Sequence, residues 1–567
     1  MTTKYQAEHN FVFLKKEEKK MNKRIMEILT ELVALKSVSY SEAEILPAQW
    51  FEKFFKEIPY FKEHPEDTGI YDIPGDPHGR KIPYAFLKGK KTDTVLFSGH
   101  FDVVSTEEYG NAEPWAYDIA TDELEKRLAE MPLDDVARKD LESGEWIWGR
   151  GAADMKGGLA IHAALFEKYA EQALAGTLEG SILFIPVPDE ESYSTGMIHA
   201  AEILKNFREK YNLNYKLYIC PEPTADNNMQ QIMSLGTIGK VMPAILVQGK
   251  KGHMGHCYQG FSALGMLSEI YLKTNGSLEF SDVTKGEASP PPTWGLMRDM
   301  KKGYDVSIPH RGCGYFTALT FETTPEEILT KLKAICLEAF EHQVEKLNAE
   351  YQQFKLNCPA ETAEKIYYEP YVLSFDELCD VAKKKDEKAY EAFRSELEAS
   401  ITKRIADGEL NFPNATLAMM EAMLDYAQIL VPVIIIGFAP PYYPQTHSDL
   451  VKGKEGCGTK AYELIKEKSK KFDQVVLAEN YFTGISDLSY GAVTSKFDYE
   501  KYSKNTPLWG DNYSIDLATI EANAIPGIIY GPIGRNYHQY VERVNKKSLL
   551  EIVPEVTKEL VEYMWNI

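Results

Sequence analysis

The sequence predicts an α/β fold interrupted by a second domain of α+β type. Short apolar runs of strand length alternate with segments of helical periodicity up to about Gly239. Clusters of acidic and histidine residues sit at the ends of these runs. The pattern then changes character and returns to a strand–loop pattern near the C-terminus. A sheet covered on both faces by helices accounts for the runs, and its carboxyl edge is where such folds place ligands.

The stretch 24–35 carries Ile25, Ile28, Leu29, Leu32 and Val33 at helical spacing, so an amphipathic helix is expected there. Residues 94–97, Thr-Val-Leu-Phe, read as a buried strand leading into His100. A helix is expected over 158–169. Buried strands are expected over Ser181–Val187, ending at Asp189, and over 215–220, ending at Glu222. Beyond Gly239 come a strand over 240–247, a Gly/His loop, an apolar helix over Ala263–Thr274 and a proline-rich loop at 289–293. Residues 315–321 alternate as in a strand with one exposed face. Thr324-Pro325-Glu326-Glu327 is a helix start signal for 325–340. The charged stretch 345–428 is helical in period, and a strand over 431–438 stops at Pro440-Pro441. The domain division that follows is 1–242 with 444–567 as one unit, and 243–443 as an insertion containing the helical stretch 345–428. The first unit is completed by a strand at 527–530 that delivers His538.

Length, composition and charge narrow the function. A chain of 567 residues predicts roughly two to four domains. A formal net charge of −22 opposes nucleic acid or an anionic membrane as the main partner. No basic patch interleaved with aromatics is visible. The seven cysteines are widely spaced, odd in number and without a CxxC pair, which argues against a disulfide framework and fits a reducing cytosol. Residues 15–24 are basic and Glu-rich, unlike a signal peptide, and the longest apolar run, 429–439, is too short to span a bilayer. A cytoplasmic protein is expected.

Five segments carry the chemistry. They are Ser98-Gly99-His100-Phe101-Asp102, Gly149 to Gly158 around Asp154, Asp189-Glu190-Glu191-Ser192, Cys220-Pro221-Glu222-Pro223 and His538-Gln539-Tyr540-Val541-Glu542. His, Asp and Glu are the zinc ligands that leave room for catalysis. Two such ions side by side activate a water and hold the carbonyl it attacks. The Gly-rich loop around Asp154 lacks the Lys-Ser/Thr pair of a phosphate cradle.

Taken together these motifs resemble the dinuclear zinc peptidases and deacylases that include aminoacylase, glutamate carboxypeptidase and succinyl-diaminopimelate desuccinylase. The resemblance covers most of the chain. Ala439-Pro440-Pro441-Tyr442-Tyr443-Pro444, the stretch Tyr481 to Tyr490, and Leu508-Trp509-Gly510 resemble the RocB-like arginine-utilisation branch. The resemblance implies a catalytic domain with a central mixed, mostly parallel sheet, and an inserted lid and dimerisation domain. It implies two divalent metal ions, zinc first and manganese or cobalt as alternatives. His100, Asp154 and Glu222 are then the ligands of one ion, and Asp154, Glu191 and His538 those of the other. Asp102 stands behind His100, Glu190 is the general base, and Glu542 supports the loop. The Asp154–Met155 peptide is expected to be cis.

In the inserted domain, Gly252-His253 and Gly260 fit the family's His-to-Gly spacing, and the resemblance implies that His253 reaches across a dimer interface to steady the oxyanion, with His256 as the alternative. Two departures stand out here, Cys257 where the family has proline and Ser262 where it has asparagine. Relatives also carry an arginine near the end of the strand around Ala318 to Phe321, and this chain has none. Arg311 and Arg298 are the replacements on offer. The implied function is metal-dependent hydrolysis of a peptide or an N-acyl amino acid, in arginine-related catabolism. The competing reading is a non-catalytic, metal-binding relative with a regulatory role.

Overall fold

The computed structural model describes residues 19–225, 229–358, 365–495 and 498–567. Residues 15–18 of the basic N-terminal stretch lie outside the described residues. The chain folds as two compact units, Met1–Thr237 with Thr446–Thr494 and Asp516–Ile567, and Ile238–Gln445 with Ser495–Ile515.

The first unit is built on an eight-stranded sheet. Its order is Thr68–Asp72, Lys81–Leu87, Ser181–Val187, Asp93–His100, Asn214–Cys220, Gly527–Ile529, Gln231–Ser234 and Val476–Glu479. The strand Asp93–His100 runs parallel to Ser181–Val187 on one side and to Asn214–Cys220 on the other. Antiparallel pairs bring in the first hairpin, so the sheet is mixed with a parallel centre. The sequence explains why these strands are central. Ser181–Val187 is buried at every position, as a strand covered on both faces must be. Val95 and Phe97 point to one face, where they pack with Phe51, Phe55, Ala163, Phe166 and Leu560 from the flanking helices. Helix Thr195–Tyr211 lies against the sheet, with Phe207 set on Phe86 at 5.3 Å between ring centroids. A small second sheet joins Trp146–Trp148, Arg543–Asn545, Ile533–Arg535 and Thr224–Ala225.

The second unit is a five-stranded sheet in the order Thr293–Asp299, Arg311–Thr320, Gly239–Gln248, Val433–Tyr443, Val372–Ser374. Helices Ala263–Thr274 and Pro325–Lys355 pack against it. Helices Phe375–Lys383 and Phe412–Ala427 bury a second core, in which Met242, Ala244, Leu246, Val433 and Ile435 meet Leu378, Leu417, Met420 and Leu424. The charged stretch 345–428 therefore supplies a helical layer for the sheet and its one parallel edge strand. Thr324 and Glu327 form a reciprocal capping box, and the helix they start runs on to Lys355, well past 340.

Two expectations are corrected. The strand expected to stop before Pro440-Pro441 continues to Tyr443. The prolines fall where pairing with Gly239–Gln248 shifts register between Lys240 and Met242, so the missing N–H groups cost no ladder bond. Pro440–Pro441 is cis. The second correction concerns Ser495–Ile515, expected with the first unit, which packs within the second. The Phe438 N–H donates to the Asn505 carbonyl at 2.8 Å, and the Tyr502 ring stacks on Phe438 at 5.2 Å. Buried aromatic area outweighs chain position there. Among the described residues no helix is long and apolar enough to cross a membrane.

Candidate metal centre

Three adjacent parallel strands end at the same edge of the sheet. His100 closes Asp93–His100 and is level with Val187, whose strand leads into Glu190 and Glu191. Asn214–Cys220 leads into Glu222. Asp154 comes from the loop before helix Lys156–Leu174, and His538 from the loop joining Ile533–Arg535 to Arg543–Asn545. Gly158 allows the Asp154 loop and its helix to come in close. A Cβ there would lie 2.2 Å from the Pro221 carbonyl oxygen, one residue before Glu222. The Asp154–Met155 peptide is cis.

The donors form three overlapping groups, one of them His100, Glu190 and Glu191, and two of them sharing Asp154. His100, Asp154 and Glu222 lie with ligand atoms within 4.8 Å of one another, and so do Asp154, Glu191 and His538. Asp154 faces both histidines with different oxygens. Its Oδ1 is 3.2 Å from His100 Nε2, and its Oδ2 is 3.3 Å from His538 Nε2. His538 Nε2 is also 3.0 Å from Glu191 Oε1. Glu190 Oε2 and Glu222 Oε1 stand 3.9 and 3.8 Å from His100 Nε2.

The electrostatics are one-sided. Four carboxylates (Asp154, Glu190, Glu191 and Glu222) share this space with two imidazoles. Burial pushes Glu190 well above the carboxylate range against the pull of His100, and it pushes Glu222 up to about 7. Hydrogen bonds to Asp154 and Glu191 push His538 up to about 10. Neighbouring carboxylates, Glu222 first, raise His100 against the opposing effect of burial. A cluster that draws protons so strongly is one where a divalent cation fits, displacing the protons. The donor set of imidazole and carboxylate suits zinc, manganese or cobalt.

The supports differ in detail from expectation. The nearest partner of His100 Nδ1 is the carbonyl oxygen of Asp102, at 3.0 Å, and the Asp102 carboxylate is 3.5 Å away. A carbonyl only accepts, so Nδ1 carries a proton, and Nε2 is the nitrogen left to face the cluster. The Asp102 carboxylate instead accepts the backbone N–H groups of Glu190 and Glu191, each at 3.1 Å. Glu542 Oε1 accepts from Gly151, Ala153 and Asp154 N–H at 2.9, 3.2 and 3.2 Å, and its Oε2 is 2.5 Å from Arg150. It therefore shapes the loop that carries Asp154.

His253 and His256 belong to the second unit and are exposed. His253 Nδ1 accepts from Gly255 N–H at 3.0 Å, which leaves its Nε2 as the donor in the neutral ring. Arg311, one replacement for the missing arginine, is already engaged. It is 3.2 Å from Glu421 and 2.5 Å from Asp425, and it donates to Gln248. Arg298 makes a long contact, 3.5 Å to Asn414, and also interacts with the Cys313 thiol.

Asp487 lies in the Tyr481–Tyr490 stretch that resembles the RocB-like branch, but the sequence assigns it no role. It is 1% exposed, and burial pushes its carboxyl up to about 8 against the pull of His100. Ser486, beside it, lies 3.6 Å from Cys220 Sγ, on the strand that leads to Glu222. The signal for Asp487 is its place in that resembling stretch, and periodicity cannot assign a role to such a loop residue.

Peptidase family M20/M25/M40 matches residues 96–563 of this sequence. The chain belongs to this family. Uncharacterized protein YqjN of Bacillus subtilis (strain 168) is 31% identical over 543 residues, covering 94% of each chain. Protein RocB of the same organism is 24% identical over 553 residues, 95% of each. M20 folds are recognisable in solved structures as well. A tripeptidase from Staphylococcus aureus subsp. aureus mu50 has a TM-score of 0.51 at 13% identity, over 96% of this chain and 99% of that one. The dipeptidase Dug1p from Saccharomyces cerevisiae has a TM-score of 0.51 at 11% identity, over 97% and 98%. These last two likenesses concern the fold alone.

Proposed function

We propose that this M20 chain is a dinuclear-metal amidohydrolase cleaving a peptide bond or an N-acyl amino acid. The observation that carries this is the position of Asp154, whose two oxygens face two separate His–carboxylate groups. In this reading His100, Asp154 and Glu222 hold one ion, and Asp154, Glu191 and His538 hold the other. Zinc is the first choice, with manganese or cobalt as alternatives. When bound, the pair lowers the pKa of water and polarises the scissile carbonyl.

The chain's own groups do the rest. Glu190, buried beside His100, takes a proton from the attacking water and delivers it to the leaving amine nitrogen. Burial raises its affinity for that proton, which suits a group that must carry it from one atom to the other. Asp102 keeps Glu190 and Glu191 apart by gripping both of their N–H groups. The resemblance implies His253, with His256 as the alternative, as the residue that steadies the oxyanion across a dimer interface, and the Gly255 N–H on its Nδ1 leaves Nε2 to carry the donor hydrogen. Resemblance to the RocB-like branch supports a substrate from arginine-related catabolism, and resemblance also supports a homodimer through the second unit. The seven cysteines are unpaired, which fits a reducing cytoplasm.

The test is a panel of dipeptides and N-acyl amino acids, weighted toward arginine and ornithine derivatives, assayed with zinc, manganese or cobalt. Glu190→Gln should abolish turnover while the protein still binds two ions. Near-full activity in that variant would remove Glu190 as base. No turnover by the wild type with both ions bound would favour the non-catalytic reading.

A further inference from the structure

The turn carrying Glu190 and Glu191 is gripped on a second side, by Arg80. This residue precedes the strand Lys81–Leu87 and is 1% exposed. Its guanidinium meets three carboxylates from three separate stretches of chain: Glu44 at 3.2 Å, Asp76 at 2.6 Å and Asp189 at 2.5 Å. None of the three is more than 1% exposed at its side chain. The Tyr40 ring covers the guanidinium, 5.2 Å from its carbon.

As a stabilising device this arrangement is a poor one. One cation cannot compensate three buried carboxyl groups, burial raising Glu44 well above the carboxylate range and Asp189 up to about 6, and a buried ion pair seldom outperforms apolar packing. As a device for fixing geometry it makes sense. Asp189, directly before Glu190, has φ of 72°, in the left-handed region that a residue with a Cβ seldom adopts. Its carbonyl accepts the N–H groups of Ser192, Tyr193 and Ser194, and its Oδ2 accepts that of Thr195 at 3.3 Å. A conformation of this kind persists only where its surroundings over-determine it. At Asp189 the charged constraint from outside the turn is Arg80.

We propose that Arg80 is a positioning residue. By pinning the Asp189 side chain, it holds the left-handed step that sends the Glu190 and Glu191 carboxylates to different places in the cluster. This rests on the reading of Glu190 as base and Glu191 as metal ligand. Lysine could not replace it, because an ammonium lacks the planar fork that serves several carboxylates at once.

Two variants of the full chain test this, Arg80→Lys and Asp189→Asn. Asparagine tolerates the left-handed conformation, so Asp189→Asn removes the charge and leaves the backbone preference. The first readout is amide hydrogen exchange of the metal-free protein. Exchange across 190–195 should quicken at least tenfold in both variants, with Ser181–Val187 as protected as in the wild type. The double variant should be no faster than the faster single one. The second readout is cobalt titration followed by absorption, where one of the two ions should bind at least tenfold more weakly. Unchanged exchange across 190–195 overturns the proposal, and so does protection lost evenly through the first unit, which would mark a plain stability role. If Arg80→Lys does not fold, Asp189→Asn alone decides by the same criteria. The exchange readout needs neither metal nor substrate, so it stands apart from the fate of Glu190→Gln.

Discussion

Replacing Glu542 by alanine removes one carboxylate from a buried loop that depends on it at four points. Its Oε1 is the acceptor for Gly151, Ala153 and Asp154 N–H, and its Oε2 faces Arg150. Breaking a buried charge pair on one side costs about 3–5 kcal/mol. Arg150 keeps Glu108 and the Ser105 carbonyl as partners, which argues for the low end. The three N–H groups share one oxygen, so their loss does not add fully to that figure. The expected destabilisation of Glu542→Ala is therefore about 3 kcal/mol. Glu542→Gln keeps an acceptor for the loop but turns an amide or a neutral oxygen toward Arg150, for about 1–2 kcal/mol. The assay is urea unfolding at about pH 8, because burial pushes the Glu542 carboxyl up to about 7 against the pull of Arg150. Trp146 and Trp148, buried on the strand paired with Arg543–Asn545, are built-in fluorescence reporters. Both variants within about 0.5 kcal/mol of wild type, the usual scatter of surface substitutions, would refute Glu542 as the organiser of the Asp154 loop.

Asp102→Asn should weaken metal uptake by about 10- to 100-fold in chelator competition, because one face of the amide cannot accept the Glu190 and Glu191 N–H groups. Unaltered uptake would mean that the turn does not need this clamp. His162 is a core residue stacked on Phe97 at 4.1 Å, and burial pushes its pKa down to about 3. The unfolded chain binds a proton at about 6.5, so stability is lost as pH falls below that value, by about 2 kcal/mol at about pH 5. His162→Phe should shrink the difference in urea midpoint between about pH 7.5 and pH 5 by that amount, and an unchanged difference would show that His162 does not titrate as argued.

The central sheet and the chemistry at its edge are legible in the order of residues alone. Strands buried on both faces must be apolar throughout, so 94–97, Ser181–Val187 and 215–220 stand out from their surroundings. The chain can show polar donors only where it leaves the sheet, so His100, Glu190, Glu191 and Glu222 are legible as strand-end residues. Resemblance points to Asp102 and Glu542 as supports, but which atoms they hold, and the part played by Arg80, emerge only once the chain is folded. Arg80, Glu44 and Asp189 share no periodicity, and Glu542 lies far along the chain from the Asp154 loop whose N–H groups it accepts. The choice between the Asp102 carbonyl and its carboxylate as the partner of His100 depends on half an ångström of backbone placement. Likewise, Ser495–Ile515 joins the second unit through contacts made in the folded chain, among them Tyr502 on Phe438 and the Phe438 N–H to the Asn505 carbonyl. Periodicity records which face of an element is covered. It carries no record of which distant polar atom completes a buried group, because that is settled when the elements close on one another.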